Sequence, residues 1–306
     1  MENPEEYIKK AALTLGFTAC GIAEACYLSE KEKLFRDSIK SGLHGEKAYL
    51  ERDIKKRFDP RDLLPNCKSV LVCLYNYLIP QKKITDYKIA KYALLTDYHI
   101  LLREKLERLA TDLSAHYPDM EYKISVDSSV ISEKNWAVKA GLGSTGKNTL
   151  LQTPNGSYFL IAILLTTLSL RPDHEQEISC GNCTRCLEAC PTRALVSPYR
   201  LNAAQCISFQ NIENRSVKNN FDNPTPWIFG CDICQDVCPH NQKVEYGKDA
   251  QNHFSPFLHF GNEEFETLEK EHYEKIAKKT PLERVKFEKL WTEIVRMKKI
   301  IQGNIH

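Results

Sequence analysis

CGNCTRCLEACP, residues 180–191, carries the spacing Cys-x2-Cys-x2-Cys-x3-Cys-Pro. Three thiolates on so tight a loop wrap a cubane iron–sulfur cluster, and the fourth, beyond them, ligates a second cluster. A partner copy is therefore required. CDICQDVCPH, residues 231–240, supplies Cys231, Cys234 and Cys238, followed by Pro239. It lacks a first cysteine of its own, but Cys206 lies upstream, separated by 24 residues. Eight thiolates then serve two [4Fe–4S] clusters. Cys180, Cys183, Cys186 and Cys238 are assigned to cluster one, and Cys190, Cys206, Cys231 and Cys234 to cluster two. Cys-x2-Cys pairs also build tetrahedral zinc sites. A zinc ribbon, however, has no need of the third cysteine, the x3 step or the proline.

Outside this module the composition is that of an ordinary globular protein. The chain has 306 residues, 42% apolar and 27% charged, with a formal net charge of +2. So small a net charge predicts no partner by itself, and any nucleic-acid surface must come from local clustering. The acidic opening MENPEEYIKK has the pattern of neither a secretory nor a twin-arginine signal. The strongest apolar run, residues 159–165, is far too short to span a bilayer. The expectation is a cytoplasmic chain with no membrane contact, in which thiols stay reduced and cysteines serve metal rather than disulfides. Cys20, Cys26, Cys67 and Cys73 sit among apolar residues and read as small core side chains.

Upstream of the module, helical and extended patterns alternate. PEEYIKKAALTLG reads as a helix stopped by Gly16, and FTACGIAEA as a strand. Residues 30–42 read as a second helix. SVLVCLYNYL is a buried strand, DYHILLREKLERLATDLSAHY a long amphipathic helix, and EYKISVD a strand ending at Asp127. NTLLQ and SYFLIAILLTTL, joined at Pro154-Asn155-Gly156, predict a hairpin. The mixture suggests an α/β or α+β fold.

Between helix and strand lies AGLGSTGKNTLL, residues 140–151. It comes within one residue of the phosphate loop G-x-x-x-x-G-K-S/T and contains G-x-G-x-x-G. A phosphate loop needs a strand before it and a long helix after it, so that free amides point at the phosphates. Here a helical pattern precedes the glycines, Pro154 follows closely, and Asn148 replaces the magnesium-binding hydroxyl. The loop is therefore either a tight turn or a place where backbone approaches a large flat ligand.

Ordered along the chain, HGEKAYLERDIKKRFDPRDLLPNCKSV, TDYHILLREKL, VDSS, KAGLGSTGKNTLL, the first cysteine run with PTRALVSPYRLNAAQCIS, and FGCDICQDVCPHN resemble the epoxyqueuosine reductases. That resemblance covers roughly residues 5–245. It implies a cobalamin-binding catalytic α/β domain (1–170), a ferredoxin-type two-[4Fe–4S] domain (171–245) and a short helical C-terminal tail (246–306). It implies reduction of the epoxide of epoxyqueuosine to queuosine at the wobble position of tRNA. Electrons would come from an external low-potential donor, pass through the clusters, and reach base-off cobalamin. Asp127 matches the family's proton donor, and a carboxyl that donates near neutral pH needs burial to hold its pKa up. Its plainer reading is a strand-end or capping aspartate. Arg57, Ser208, Leu151 and Ile161 match cobalamin contacts, and the glycine loop would lie against the corrin. Arg57 otherwise reads as an exposed turn arginine, and Ser208 as a solvent-facing serine.

The chain departs from the family pattern at Ser144-Thr145, Ala162-Ile163 and Pro226-Trp227, positions bearing on corrin, substrate and tRNA contacts. Rival readings are a corrinoid paralogue with another substrate, such as a reductive dehalogenase, and a non-catalytic electron carrier. The large upstream domain argues against a carrier. In the tail, residues 274–300 hold nine basic against four acidic residues. Lys278, Lys279, Arg284 and Lys286 are the expected phosphate contacts to the tRNA anticodon arm. The alternative is a solvated helix with i,i+4 ion pairs.

Overall fold

The computed structural model describes residues 3–45, 47–81, 84–127, 130–214 and 221–303. The chain begins with α1 (Pro4–Thr14), capped by the Asn3 side chain, then β1 (Ala19–Glu24), α2 (Ser29–Lys40) and α3 (Ile54–Phe58). β2 (Ser69–Asn76), the short β3 (Lys88–Ile89), α4 (Tyr98–His116), β4 (Tyr122–Ser125) and α5 (Glu133–Lys139) follow. The glycine loop lies between β5 (Ser144–Thr145) and β6 (Leu151–Gln152), and β7 (Phe159–Thr166) comes next. The cysteine region holds α6 (Arg185–Glu188), β8 (Leu195–Ser197), β9 (Arg200–Leu201), β10 (Trp227–Phe229) and α7 (Ile233–Asp236). The tail forms α8 (Asn262–Glu266), α9 (Lys270–Ile276) and α10 (Phe287–Gly303).

The central sheet has the order β1-β2-β7-β4 and is antiparallel at every pairing, so the expected α/β mixture resolves as α+β. β2 is buried along its whole length. Its alternate residues feed two cores: Leu71, Cys73 and Tyr75 on one face, Val70, Val72 and Leu74 on the other. β7 divides likewise, Ala162 and Leu164 against Ile163 and Leu165. The first core lies under α4 and also takes Phe265, Tyr273, Leu282, Leu290 and Ile294 from the tail. The second lies under α5, with Trp136 at its centre.

The predicted hairpin of NTLLQ with SYFLIAILLTTL does not form. Only the Thr153–Gly156 bridge closes at the proline turn. β6 pairs instead with β5, and β7 enters the sheet between β2 and β4. β7 is apolar on both faces, so a sheet interior suits it better than a two-stranded ribbon, which leaves one face wet. The basic stretch 274–300 is likewise broken: α9 stops at Ile276, a 3-10 turn spans Pro281–Arg284, and only then does α10 start. No described helix is long and apolar enough to cross a membrane.

Candidate active site

The two cysteine runs fold as pseudo-equivalent loops, each leading into a one-turn helix, α6 and α7. The thiols fall into two electrostatic neighbourhoods. Cys186 feels Cys180 and Cys238, and Cys238 feels Cys180 and Cys183. Cys206 feels Cys190, Cys231 feels Cys206 and Cys190, and Cys234 feels all three. The fold thus brings the thiols together in the same two groups of four that the spacing suggests. Burial pushes the Cys231 thiol up to about 12. Among the described residues, no three His, Cys, Asp or Glu side chains converge on a single metal ion. A cubane asks for something else, one thiolate at each of four irons.

The glycine loop is what grips these cysteine loops. Gly146 N–H donates to Leu150 C=O at 2.8 Å, and Thr149 N–H to Gly146 C=O, closing the β5–β6 turn. Lys147, at the place of a phosphate-loop lysine, gives its ammonium to the carbonyls of Gly181 (2.6 Å) and Cys183 (3.0 Å). Asn148 Nδ2 donates to the Cys234 carbonyl at 3.2 Å. Gln152 Oε1 stands 3.8 Å from the Cys238 sulfur. One hairpin thus touches both cysteine runs. A side chain at Gly143 would place its Cβ 2.0 Å from the Gln152 carbonyl oxygen, which explains glycine there.

A cleft of about 660 Å³ opens between α4, the Cys206 loop and the tail. Asp127, Ser208 and Arg284 line it, and Cys206 forms part of its wall. β4 ends at Ser125, short of the predicted strand end, and Asp127 lies just beyond it with a left-handed backbone, φ 48°. Its Oδ2 accepts from the Tyr98 hydroxyl at 2.8 Å and stands 3.1 Å from His99 Nε2. The other ring nitrogen, Nδ1, lies 2.7 Å from Asp97 Oδ1, which also caps α4 by accepting from His99 N–H. Arg284 stands 3.9 Å from the same Asp127 oxygen and 3.0 Å from Glu213. Flanked by two carboxylates, His99 is raised to about 9. The His99 bond, aided by Tyr98 and Arg284, holds Asp127 below its usual value against the opposing effect of burial. This corrects the expectation that burial would keep Asp127 protonated, since its side chain is also partly exposed to solvent. The carboxyl that burial does raise, to about 8, belongs to Glu133, whose Oε1 accepts the Asp127 backbone N–H at 2.6 Å.

Arg57 is buried rather than exposed on a turn. Its guanidinium donates to the Tyr49 carbonyl (3.0 Å) and the Val130 carbonyl (3.2 Å), and its Nε has no hydrogen-bond partner among the described residues. Arg57 does not line the cleft, although Tyr49, whose carbonyl it holds, lies near enough to sense the charges of Glu213, Arg284 and Asp127, which do. Ser208 is half-buried on the cleft wall. Leu151 and Ile161 are not among the cleft-lining residues; they pack with the core beneath α5. Of the basic tail residues, Lys278, Lys279 and Lys286 are exposed. Arg284 is exposed as well but is engaged at the cleft by Glu213 and Asp127, and Lys289 is buried with its ammonium on the Asn214 carbonyl. Asp97, Tyr98, His99 and Glu133 are the residues sequence reading missed. The available signal was an Asp-Tyr-His triplet at the N-terminus of α4. A second cavity, about 760 Å³ and lined by Tyr87, Trp227, Phe265 and Met297, gathers none of the predicted site residues.

Residues 179–241 match the family described as 4Fe-4S double cluster binding domain. Residues 57–128 match the family described as Epoxyqueuosine reductase QueG, DUF1730. The epoxyqueuosine reductase of Cyclobacterium marinum is 38% identical over 296 residues, covering 94% of each chain. The epoxyqueuosine reductase structure from Streptococcus thermophilus superposes with a TM-score of 0.84 at 28% identity, covering 99% of this chain and 86% of that one. A crystal structure of epoxyqueuosine reductase with a tRNA-Tyr epoxyqueuosine-modified tRNA stem loop gives 0.83 at 28% identity, over 95% of this chain and 80% of that one.

Proposed function

This chain belongs to the epoxyqueuosine reductase family, and from that premise we propose that it reduces epoxyqueuosine to queuosine at the wobble position of tRNA. Electrons from an external low-potential donor would pass through two [4Fe–4S] clusters to a cobalamin in the cleft. The observation that carries the reading is one cleft in which Cys206, a cluster-two ligand, shares a wall with the Asp127–His99 pair.

Converting an epoxide to an alkene consumes two electrons and two protons and releases the oxygen as water. When bound, the corrinoid cobalt supplies the two-electron reducing centre. The residues present suit such a group. Arg57 is a buried cation with an unpartnered Nε and no carboxylate at salt-bridge distance among the described residues, a site that favours a polar or anionic cofactor substituent. Ser208 is the second cofactor contact proposed on this side, while Leu151 and Ile161 would act from the neighbouring core.

Proton delivery falls to the Asp127–His99 pair. Asp127 is ionised at neutral pH and His99 is protonated, so the shared proton rests on the imidazolium between two carboxylates. Asp127 is the group presented to the substrate oxygen, and His99 replenishes it. Tyr98 fixes the carboxylate by donating to Oδ2. Lys278, Lys279 and Lys286 would contact tRNA phosphates at the cleft rim, where the Lys279 carbonyl accepts from Asp97 N–H at 2.7 Å. A tRNA substrate and thiolate-held clusters suit the cytoplasm.

The test is anaerobic reconstitution with iron, sulfide and cobalamin, chemical reduction, and nucleoside mass spectrometry of epoxyqueuosine-containing tRNA. Loss of one oxygen from the modified nucleoside is expected. Fully loaded protein that leaves the tRNA unchanged would overturn the reading and revive the paralogue with another substrate.

A further inference from the structure

After β4 the chain turns at Asp127 through a left-handed conformation, φ 48°, which aspartate adopts more readily than most residues with a side chain and in which its neighbours here hold it. Two elements do the holding. From α4, Tyr98 and His99 hold the carboxylate. From α5, Glu133 Oε1 accepts the Asp127 backbone N–H at 2.6 Å. Glu133 is itself fixed, because it opens α5, and the preceding Ser132 N–H donates to the Arg57 carbonyl at 2.9 Å. The backbone of Asp127 is thus tied through one side chain to the segment that carries the proposed cofactor arginine.

We infer that Glu133 is a positioning residue of the reaction: by accepting the Asp127 N–H it locks Asp127 in the turn that points its carboxylate at His99 and the cleft. This rests on the reading of Asp127 as the proton-delivering group. Glu133 is suited to the task when neutral. Its half-buried position lifts it to about 8, so at neutral pH its carbonyl oxygen accepts the N–H with little negative charge placed beside Asp127. The groups facing it are the Asp127 carboxylate, His99 on α4 and Lys134 beside it on α5. As pH rises through about 8, Glu133 ionises and repels the carboxylate it positions. His99 loses its proton only near 9. Ionisation of Glu133 should therefore contribute to the alkaline loss of turnover, beside the loss of the His99 proton.

The experiment compares Glu133→Ala and Glu133→Gln with the parent holoenzyme, measuring kcat and KM for epoxyqueuosine-tRNA from about pH 6 to about pH 10. Glutamine keeps the accepting oxygen and cannot ionise. Alanine should lower kcat about 10- to 100-fold with KM and cluster spectra little changed, as expected for a misplaced reacting group. Glutamine should recover most of that activity. Its alkaline limb should move to higher pH, because only His99 is left to titrate there. In parallel, hydrogen exchange of the peptide spanning 122–136, measured without cofactors, should be faster in the alanine variant and near the parent in the glutamine variant. Parental kcat in the alanine variant overturns the inference. So does a glutamine variant as slow as alanine, or one whose alkaline limb coincides with the parent's. If the parent itself fails to turn over, the functional reading has failed. The exchange arm then decides the latch alone, and equal exchange in all three proteins refutes it.

Discussion

Asp127 is held by four groups from three parts of the chain: Tyr98 and His99 on its carboxylate, Arg284 nearby, and Glu133 on its backbone. Such convergence makes its chemistry sensitive to single substitutions that leave the fold alone. Asp127→Asn should retain both clusters and lose about 10²–10⁴-fold in single-turnover epoxide reduction, because asparagine cannot relay the His99 proton, a loss of the size a positioned acid–base group contributes. A drop below about tenfold would move proton delivery to another group. The pH dependence has a defined sign. His99 is raised, so its proton is present at neutral pH and leaves as pH climbs through about 9, whereas Asp127 is depressed and stays ionised across that range. Activity should therefore fall on the alkaline side, with no gain from ionising Asp127 near neutrality.

At the scale of elements, the β5–β6 hairpin determines how the cluster loops sit. Its strands are two residues each, too short for stability as an isolated ribbon, and its hold comes from hydrogen bonds that reach outward. Lys147 satisfies two carbonyls of the first cysteine run, and Asn148 one carbonyl of the second. Replacing Lys147 with Met keeps most of the stem and removes both bonds. Each charge-assisted bond contributes about 1.5–3 kcal/mol. The variant should bind iron more weakly and release cluster-one iron first when challenged with a chelator, followed by absorbance and Mössbauer signal. Iron release indistinguishable from the parent would mean that the cysteine loops hold their shape unaided. The resemblance to a phosphate loop is thus local: the same glycines and lysine, with the ammonium turned to backbone carbonyls.

At the scale of the molecule, one core runs from Ile8 on α1 to Met297 on α10, so the tail is part of the body that carries the cleft. Its cations divide accordingly. Lys278, Lys279 and Lys286 face solvent, while Arg284 is committed to Glu213 and Asp127. Neutralising the three lysines should weaken tRNA binding. The slope of log affinity against log salt should flatten by about 0.7–0.9 for each phosphate no longer neutralised, with cluster spectra unchanged. Equal affinity and slope would return this rim to ordinary solvated surface. Arg284→Ala should behave differently, acting on turnover through Asp127 more than on salt slope.

The cysteine runs were legible in the sequence because a cubane constrains local spacing, and spacing is what a sequence records. Cys180 to Cys190 sit within one tight loop, so their pattern survives without knowledge of the fold. Helix α4 and the buried strand β2 were legible for a similar reason, since periodicity and apolar runs are local. The partner of β6 was not legible, because Leu151 and Gln152 could pair forward across the proline turn or back across Gly146, and only the demand of β7 for two neighbours decided it. Nor was the ionisation of Asp127 legible. Residues 98, 99 and 284 lie far from it in sequence, and a carboxylate's pKa depends on groups within a few ångströms, which only tertiary packing brings together.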